Sequence, residues 1–174
     1  MALSVFLWLS PFYFLVGLQA DAALYFQSWL VHFIWCLING AAGQMVAALV
    51  PNLIAAQIMQ GLLFMVWFIF AGLLQPLASM PIGCQWVLWS DPVFYALQAF
   101  TMPQFETGPS AMKPFTYLLP NGTQTTVPRV QYLRDGYGFY SNYYWQAIGW
   151  MVFIFAVIRI LAFVAIKKVS HIKR

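Results

Sequence analysis

The sequence predicts an all-α membrane protein of four transmembrane helices, with short re-entrant or interfacial helices in a large extracellular loop. Three observations predict it. Residues 22–90 contain no Asp, Glu, Lys or Arg. The whole chain of 174 residues is 63% hydrophobic and 7% charged, against about 25% charged in a typical soluble domain. A soluble fold of this size keeps most residues near its surface and cannot hide such a run, whereas a bilayer is itself an apolar solvent. Finally, the net charge of +4 sits at one end. Arg159, Lys167, Lys168, Lys173 and Arg174 contribute +5, so the rest of the chain sums to −1.

The first apolar segment covers residues 2–18 and is interrupted at Ser10-Pro11. As a helix its 17 residues rise about 25 Å, barely enough to span. Gln19-Ala20-Asp21 supplies a polar turn. The second span, residues 24–49, has a bulky first half (Tyr25, Phe26, Trp29, Phe33, Trp35) and a small second half (Gly40, Ala41, Ala42, Gly43, Ala47, Ala48). Small residues let helix backbones approach closely in lipid. Asn39 and Gln44 share that half, and their amides are costly unless they face protein or water, so it should pack inward. Val50-Pro51-Asn52 turns the chain into the third span, residues 53–74, rich in Met59, Leu62, Leu63, Phe64, Met65, Trp67, Phe68 and Phe70.

The region 75–144 differs in kind, with eight prolines and most of the charges that lie outside the C-terminal end. Residues 82–105 are apolar and aromatic but cut by Asp91-Pro92. Neither piece is long enough to span, so two short helices dipping into the interface are expected, with Trp86, Trp89 and Tyr95 at headgroup depth. Residues 106–135 read as a polar loop carrying a glycosylation sequon at Asn121-Gly122-Thr123. The fourth span, residues 145–166, follows an aromatic cluster (Tyr137, Phe139, Tyr140, Tyr143, Tyr144) that reads as an interfacial belt. Arg159 lies inside this span. At a helix centre it would cost about 2.5–3.5 kcal/mol; it either snorkels toward Lys167 or lines a substrate path.

The basic tail, residues 167–174, is expected to be cytoplasmic by the positive-inside bias, although basic tails also bind anionic lipid. Counting back through four spans puts residues 75–144 outside and both termini in the cytoplasm. The apolar N-terminus lacks the basic flank of a signal peptide.

Catalysis fails on inventory. There are four acidic residues and two histidines, and they do not cluster. His32 stands alone on an apolar helix, where a satisfied structural histidine is the expectation. Cys36 and Cys84 have neither metal-site spacing nor a common location. None of the four lysines follows a glycine, so the chain has no phosphate-cradling loop, and no nucleic-acid-binding module is visible.

The order of motifs in residues 64–105 carries a resemblance. Phe70-Ala71-Gly72-Leu73-Leu74, Met80-Pro81, Trp86 and Trp89, Asp91-Pro92, Tyr95-Ala96-Leu97 and Gln104-Phe105 follow one another. Together they resemble the fifth helix and following re-entrant element of G-subfamily, pleiotropic-drug-resistance type ABC transporters, in the C-terminal part of an ABC-2 type membrane domain. Ser10-Pro11-Phe12-Tyr13, the turn at Val50-Pro51-Asn52 and the basic ending are similar too. The resemblance implies the membrane portion of an ATP-driven exporter of apolar or amphipathic compounds in the plasma membrane. It implies Phe64, Met65 and Phe68 as cavity residues and Leu73 and Leu74 as a valve. Its partners would be the bilayer, the remaining transporter helices and nucleotide-binding domains. ATP and Mg2+ would be held on such a domain and no cofactor by this chain, which is therefore not expected to be an enzyme by itself. The family domain has six helices, of which four are expected here, so a fragment is expected. The alternative is a free-standing four-span scaffold that binds partner helices through the small face of the second span.

Overall fold

The computed structural model describes residues 1–72, 74, 76–107, 114–118 and 124–168. Seven helices run in the order α1 (Ala2–Leu15), α2 (Ala22–Leu49), α3 (Leu53–Phe70), α4 (Gln85–Trp89), α5 (Pro92–Glu106), α6 (Arg129–Tyr137) and α7 (Tyr144–Lys168). Strands β1 (Pro114–Leu118) and β2 (Gln124–Pro128) lie between α5 and α6.

The first segment departs from expectation. Helix α1 runs through Ser10-Pro11 without breaking. The Ser10 hydroxyl donates back to the Phe6 carbonyl at 2.7 Å and meets the Tyr25 hydroxyl at 2.6 Å, so the polar atom beside the proline is satisfied. The helix stops before residue 18 because Gly17 turns left-handed at φ +73°. The amides of Gly17 and Leu18 then close onto the carbonyls of Phe14 and Tyr13, a Schellman ending. Fourteen residues rise about 21 Å, short of a hydrocarbon core of roughly 30 Å. Among the described residues three helices, α2, α3 and α7, are long and apolar enough to cross a membrane, and α1 is a shorter apolar helix.

Side-chain caps start the helices where the sequence placed turns. Asp21 accepts from the Ala23 amide at 2.8 Å, Asn52 from Ile54 at 3.0 Å and Asp91 from Val93 at 2.8 Å, each satisfying an orphan donor of a first turn. Pro92 sits just inside α5, where its missing N–H costs nothing. Helix α3 ends at Phe70 rather than at residue 74, because Gly72 takes φ +85°.

Helices α2 and α7 form the largest interface, and α5 packs on both. Ile38, Ala41 and Ala42 of α2, Phe94, Ala99 and Met102 of α5, and Ala147, Met151 and Ile158 of α7 share one buried cluster. Between spans, lipid is as apolar as leucine, so close packing and polar contacts carry the association rather than apolar burial. The small half of α2 meets this need, since Ala41 and Ala42 are buried. Arg159 of α7 donates to the Gln44 side-chain oxygen of α2, one polar contact across the interface. By contrast, only Ala56 of α3 is buried.

Residues 76–107 hold short 3-10 turns and the helix pair α4–α5, joined at Asp91-Pro92. Trp86 and Trp89 are exposed, but Tyr95 is 3% exposed and donates its hydroxyl to the Trp89 carbonyl at 2.8 Å. Tyr95 therefore belongs to the protein core and not to an exposed headgroup belt. Phe139 and Tyr144 are likewise buried, and the Phe139 ring packs on Phe94 at 5.6 Å. The segment read as polar loop contains an antiparallel hairpin in which Thr116 faces Thr126, their hydroxyls 3.0 Å apart, followed by α6.

Candidate functional site: an apolar cleft between four helices

Helices α1, α2, α3 and α5 leave an apolar cleft of about 280 Å³ between them. Trp8 enters from α1, His32 and Trp35 from α2, Phe64 and Phe68 from α3 and Phe100 from α5. The spacing on α3 is one helical turn, which places both phenylalanines on one face. A second cleft of about 450 Å³ adjoins it, sharing Trp8, Trp35 and Phe64 and reaching Cys36, Asn39 and Gly40.

His32 organises the wall. Its Nδ1 lies 2.8 Å from the Ser28 carbonyl. A carbonyl only accepts, so Nδ1 carries a proton. The ring meets Trp8 edge to face at 5.1 Å and Phe100 at 5.2 Å, an arrangement aromatic quadrupoles favour. Trp35 lies 6.0 Å from Phe64 and 6.1 Å from Trp67. Asn39 spends its amide donor on the Trp35 carbonyl at 2.9 Å. The wall so formed is largely aromatic, its rings meeting edge to face or tilted. No group of three metal-ligating side chains occurs among the described residues, and Cys36 and Cys84 are both free thiols.

At the far end of α5 a polar clasp closes the α1–α2 turn. The Gln104 amide donates to the Tyr13 hydroxyl at 3.0 Å and reaches the Ser28 hydroxyl at 3.5 Å. The Tyr13 hydroxyl in turn donates to the Gln19 carbonyl at 2.6 Å, and the Gln19 side-chain amide donates to the carbonyls of Gln104 and Thr107. Tyr13 is fully buried and Gln104 nearly so, so this network stands or falls as a unit.

Of the residues the sequence singles out, Phe64 and Phe68 line the cleft, while Met65 is exposed and is not among its described lining residues. Leu74 is 63% exposed. Leu73, Asn121 and residues 169–174 lie outside the described residues. Sequence reasoning missed Trp8, Trp35 and Phe100 as partners of Phe64 and Phe68, and the Gln104 clasp. The signal for Gln104 was present: an amide embedded in an apolar helix needs a partner.

Residues 1–105 match the family model described as ABC-2 type transporter. Pleiotropic drug resistance protein 1 of Nicotiana tabacum is 29% identical over 93 residues, covering 53% of this chain and 6% of that protein. ABC transporter G family member 37 of Oryza sativa subsp. japonica is 29% identical over 103 residues, 59% of this chain and 6% of its own length. ABC transporter G family member 45 of the same rice is 24% identical across 100% of this chain and 12% of its own length. The chain thus spans a small part of each of these relatives.

Proposed function

The chain belongs to the ABC-2 type transporter family, the membrane part of ABC transporters and not itself the catalytic part, and from that premise we propose that it forms one wall of the path of an ATP-driven exporter of apolar or amphipathic compounds. The observation that carries this reading is the aromatic cleft in which Phe64 and Phe68 face Trp35, His32 and Phe100. Aromatic faces accept varied apolar ligands with little directional demand, and ligand pockets are mostly apolar with few polar groups. Leu73 and Leu74 would close the path beyond the end of α3, since paired leucines exclude water from a constriction. The chain would act as a fragment beside further helices, and the open surface of α3, where only Ala56 is buried, supports such neighbours. ATP and Mg2+ would be handled on nucleotide-binding domains of the assembly, no cofactor being held by this chain. A plasma-membrane location, cytoplasmic termini and glycosylation at Asn121 complete the proposal.

In the scaffold alternative, Ala41 and Ala42 are already used against the chain's own core, which leaves Gly43 and the exposed Ala47 of the small half for a partner helix. The test is photolabelling of the purified chain in lipid nanodiscs with a benzophenone-bearing amphiphile, mapped by mass spectrometry. Labelling is expected to concentrate on Trp35, Phe64 and Phe68 over the exposed Ile58 and Leu62, and to fall several-fold in the double variant Phe64→Ala, Phe68→Ala. Equal labelling of both faces of α3 would reduce the cleft to ordinary lipid-facing surface and remove the reading.

A further inference from the structure

The corner between α4 and α5 contains a carboxyl group that nothing in the cleft uses. Asp91 is 1% exposed. One oxygen accepts from the Val93 amide at 2.8 Å, and the other, Oδ2, is buried without a hydrogen-bond partner. A carboxylate is acceptor-only, whereas a carboxylic acid carries a donor and needs less solvation. The corner is also a contact. Gly72, just past the end of α3, backs onto Leu88 of α4 and Phe94 of α5, whose side chains would stand 3.6 Å from a Cβ built at that glycine. Asp91 lies between those two residues in the chain, and its amide donates to the Leu88 carbonyl at 3.1 Å.

We propose that Asp91 is a proton-binding site whose occupancy holds the α4–α5 corner against the end of α3 at Gly72, and whose emptying loosens that contact. Among the described residues, no charged side chain hydrogen-bonds to Asp91. Helices α3 and α4 carry no titratable residue, and α5 carries only Tyr95 and, at its far end, Glu106, which faces the Asn142 amide. On α2, His32 is turned to the Ser28 carbonyl. On α6, Arg134 donates to the Ser141 hydroxyl at 2.6 Å, and Arg129 lines a surface hollow beside Phe105. Asp135 of α6 is exposed. Tyr137 at the end of α6, Tyr140 and Tyr143 in the connecting segment and Tyr144 at the start of α7 are phenols. Arg159 of α7 is held by Gln44, about 22 Å along the helix from Tyr144.

Burial pushes the Asp91 carboxyl up to about 7, the Val93 amide opposing this only in part. In a loosened, hydrated corner the same group returns to the ordinary carboxylate range, about 3.9. The packed state therefore binds the proton more tightly, and its advantage is complete below the ordinary range. That advantage declines about tenfold per pH unit as one proton is released, and it is gone above about pH 7. A proton from the surrounding medium is in this way coupled to the end of the helix that carries Phe64 and Phe68. The coupling is independent of whether the cleft carries cargo.

The experiment is infrared difference spectroscopy of the full chain in nanodiscs between pH 5 and 9, with amide hydrogen exchange of residues 86–98 corrected for the intrinsic pH dependence of exchange. The chain has only four acidic side chains, three of them Asp, so a protonated-carboxyl band surviving at pH 6 is resolvable. Labelling Asp with carbon-13 assigns the band without any substitution. The expected result is an Asp band that titrates near pH 7 and is absent in Asp91→Asn, which keeps the cap oxygen. Exchange at the corner should rise across the same pH window in the unsubstituted chain and stay flat in the variant. An Asp band lost only in the ordinary carboxylate range, or a titrating band with unchanged exchange, overturns the proposal.

Discussion

The Gln104 side-chain amide donates to the Tyr13 hydroxyl at 3.0 Å, joining residues 91 positions apart in the chain. Both groups are buried, and Tyr13 passes the connection on to the backbone at Gln19. Removing one member leaves buried partners unsatisfied, at a cost of about 1–3 kcal/mol per orphaned group. Gln104→Leu is therefore expected to destabilise the chain by about that amount, read as a lower thermal midpoint in detergent. Tyr13→Phe, which removes the hydroxyl and its two contacts, should lower it too. The double variant should cost less than the sum, because the two positions share one network.

The contact between Arg159 and Gln44 makes a prediction of different size. It joins α7 to α2 at exposed positions within two spanning helices. Interhelical polar contacts in membranes average about 0.6 kcal/mol by double-mutant cycles, because the separated helices find other partners. The cycle of Gln44→Leu and Arg159→Leu should return a coupling of about that size. A value near zero would mean that the guanidinium reaches the lipid headgroups instead.

How much of this architecture was legible depends on the range of the signal. The spans α2 and α7 and the turns at Asp21, Asn52 and Asp91 could be read because uncharged runs and the polar residues that break them act over a few positions. The capping bonds those three side chains make emerge only with the backbone. The end of the first helix was placed three residues late, at residue 18 and not Leu15, because Gly17 looks like one more small residue in an apolar run; its left-handed ending becomes visible only with the backbone. The α4–α5 corner was legible at Asp91-Pro92, but the burial of Tyr95 was not, since it depends on α7 covering it: the Tyr95 and Trp150 rings stack at 6.0 Å. In the cleft, the Phe64–Phe68 face follows from helical spacing. Trp8, Trp35 and Phe100 enter it only through tertiary packing that a single chain does not encode locally.

The end of α3 tests that backbone argument. Gly72 sits at φ +85°, a region that costs an L-residue roughly 1–2 kcal/mol. A Cβ there would find ordinary contacts with Leu88 and Phe94 at 3.6 Å, so strain and not crowding sets the penalty. Gly72→Ala should lower thermal stability by about that amount. Gly61→Ala, in mid-helix with open space around its Cβ, should be neutral or slightly stabilising, because glycine is the poorer helix former. Equal losses at both positions would contradict the left-handed ending of α3.

Topology is tested at the hairpin. Thr126 of β2 is exposed, and the proposed orientation, with the basic tail in the cytoplasm, would place the hairpin outside the cell. In a background of Cys36→Ser and Cys84→Ser, which removes the two native thiols, Thr126→Cys should react with a membrane-impermeant maleimide on intact cells. A cysteine introduced at Ile166, at the opposite end of α7, should react only after permeabilisation. The two readings reverse together if the chain threads the other way. If instead α1 and α2 enter from one side as a pair without α1 crossing, as its 14 residues suggest, Thr126 still labels from outside, but a cysteine at Ser4 labels from the same side as one at Gln19. Labelling at Ser4 and Gln19 from opposite sides would show that α1 crosses, with the bilayer thinned around its 21 Å or so of apolar length.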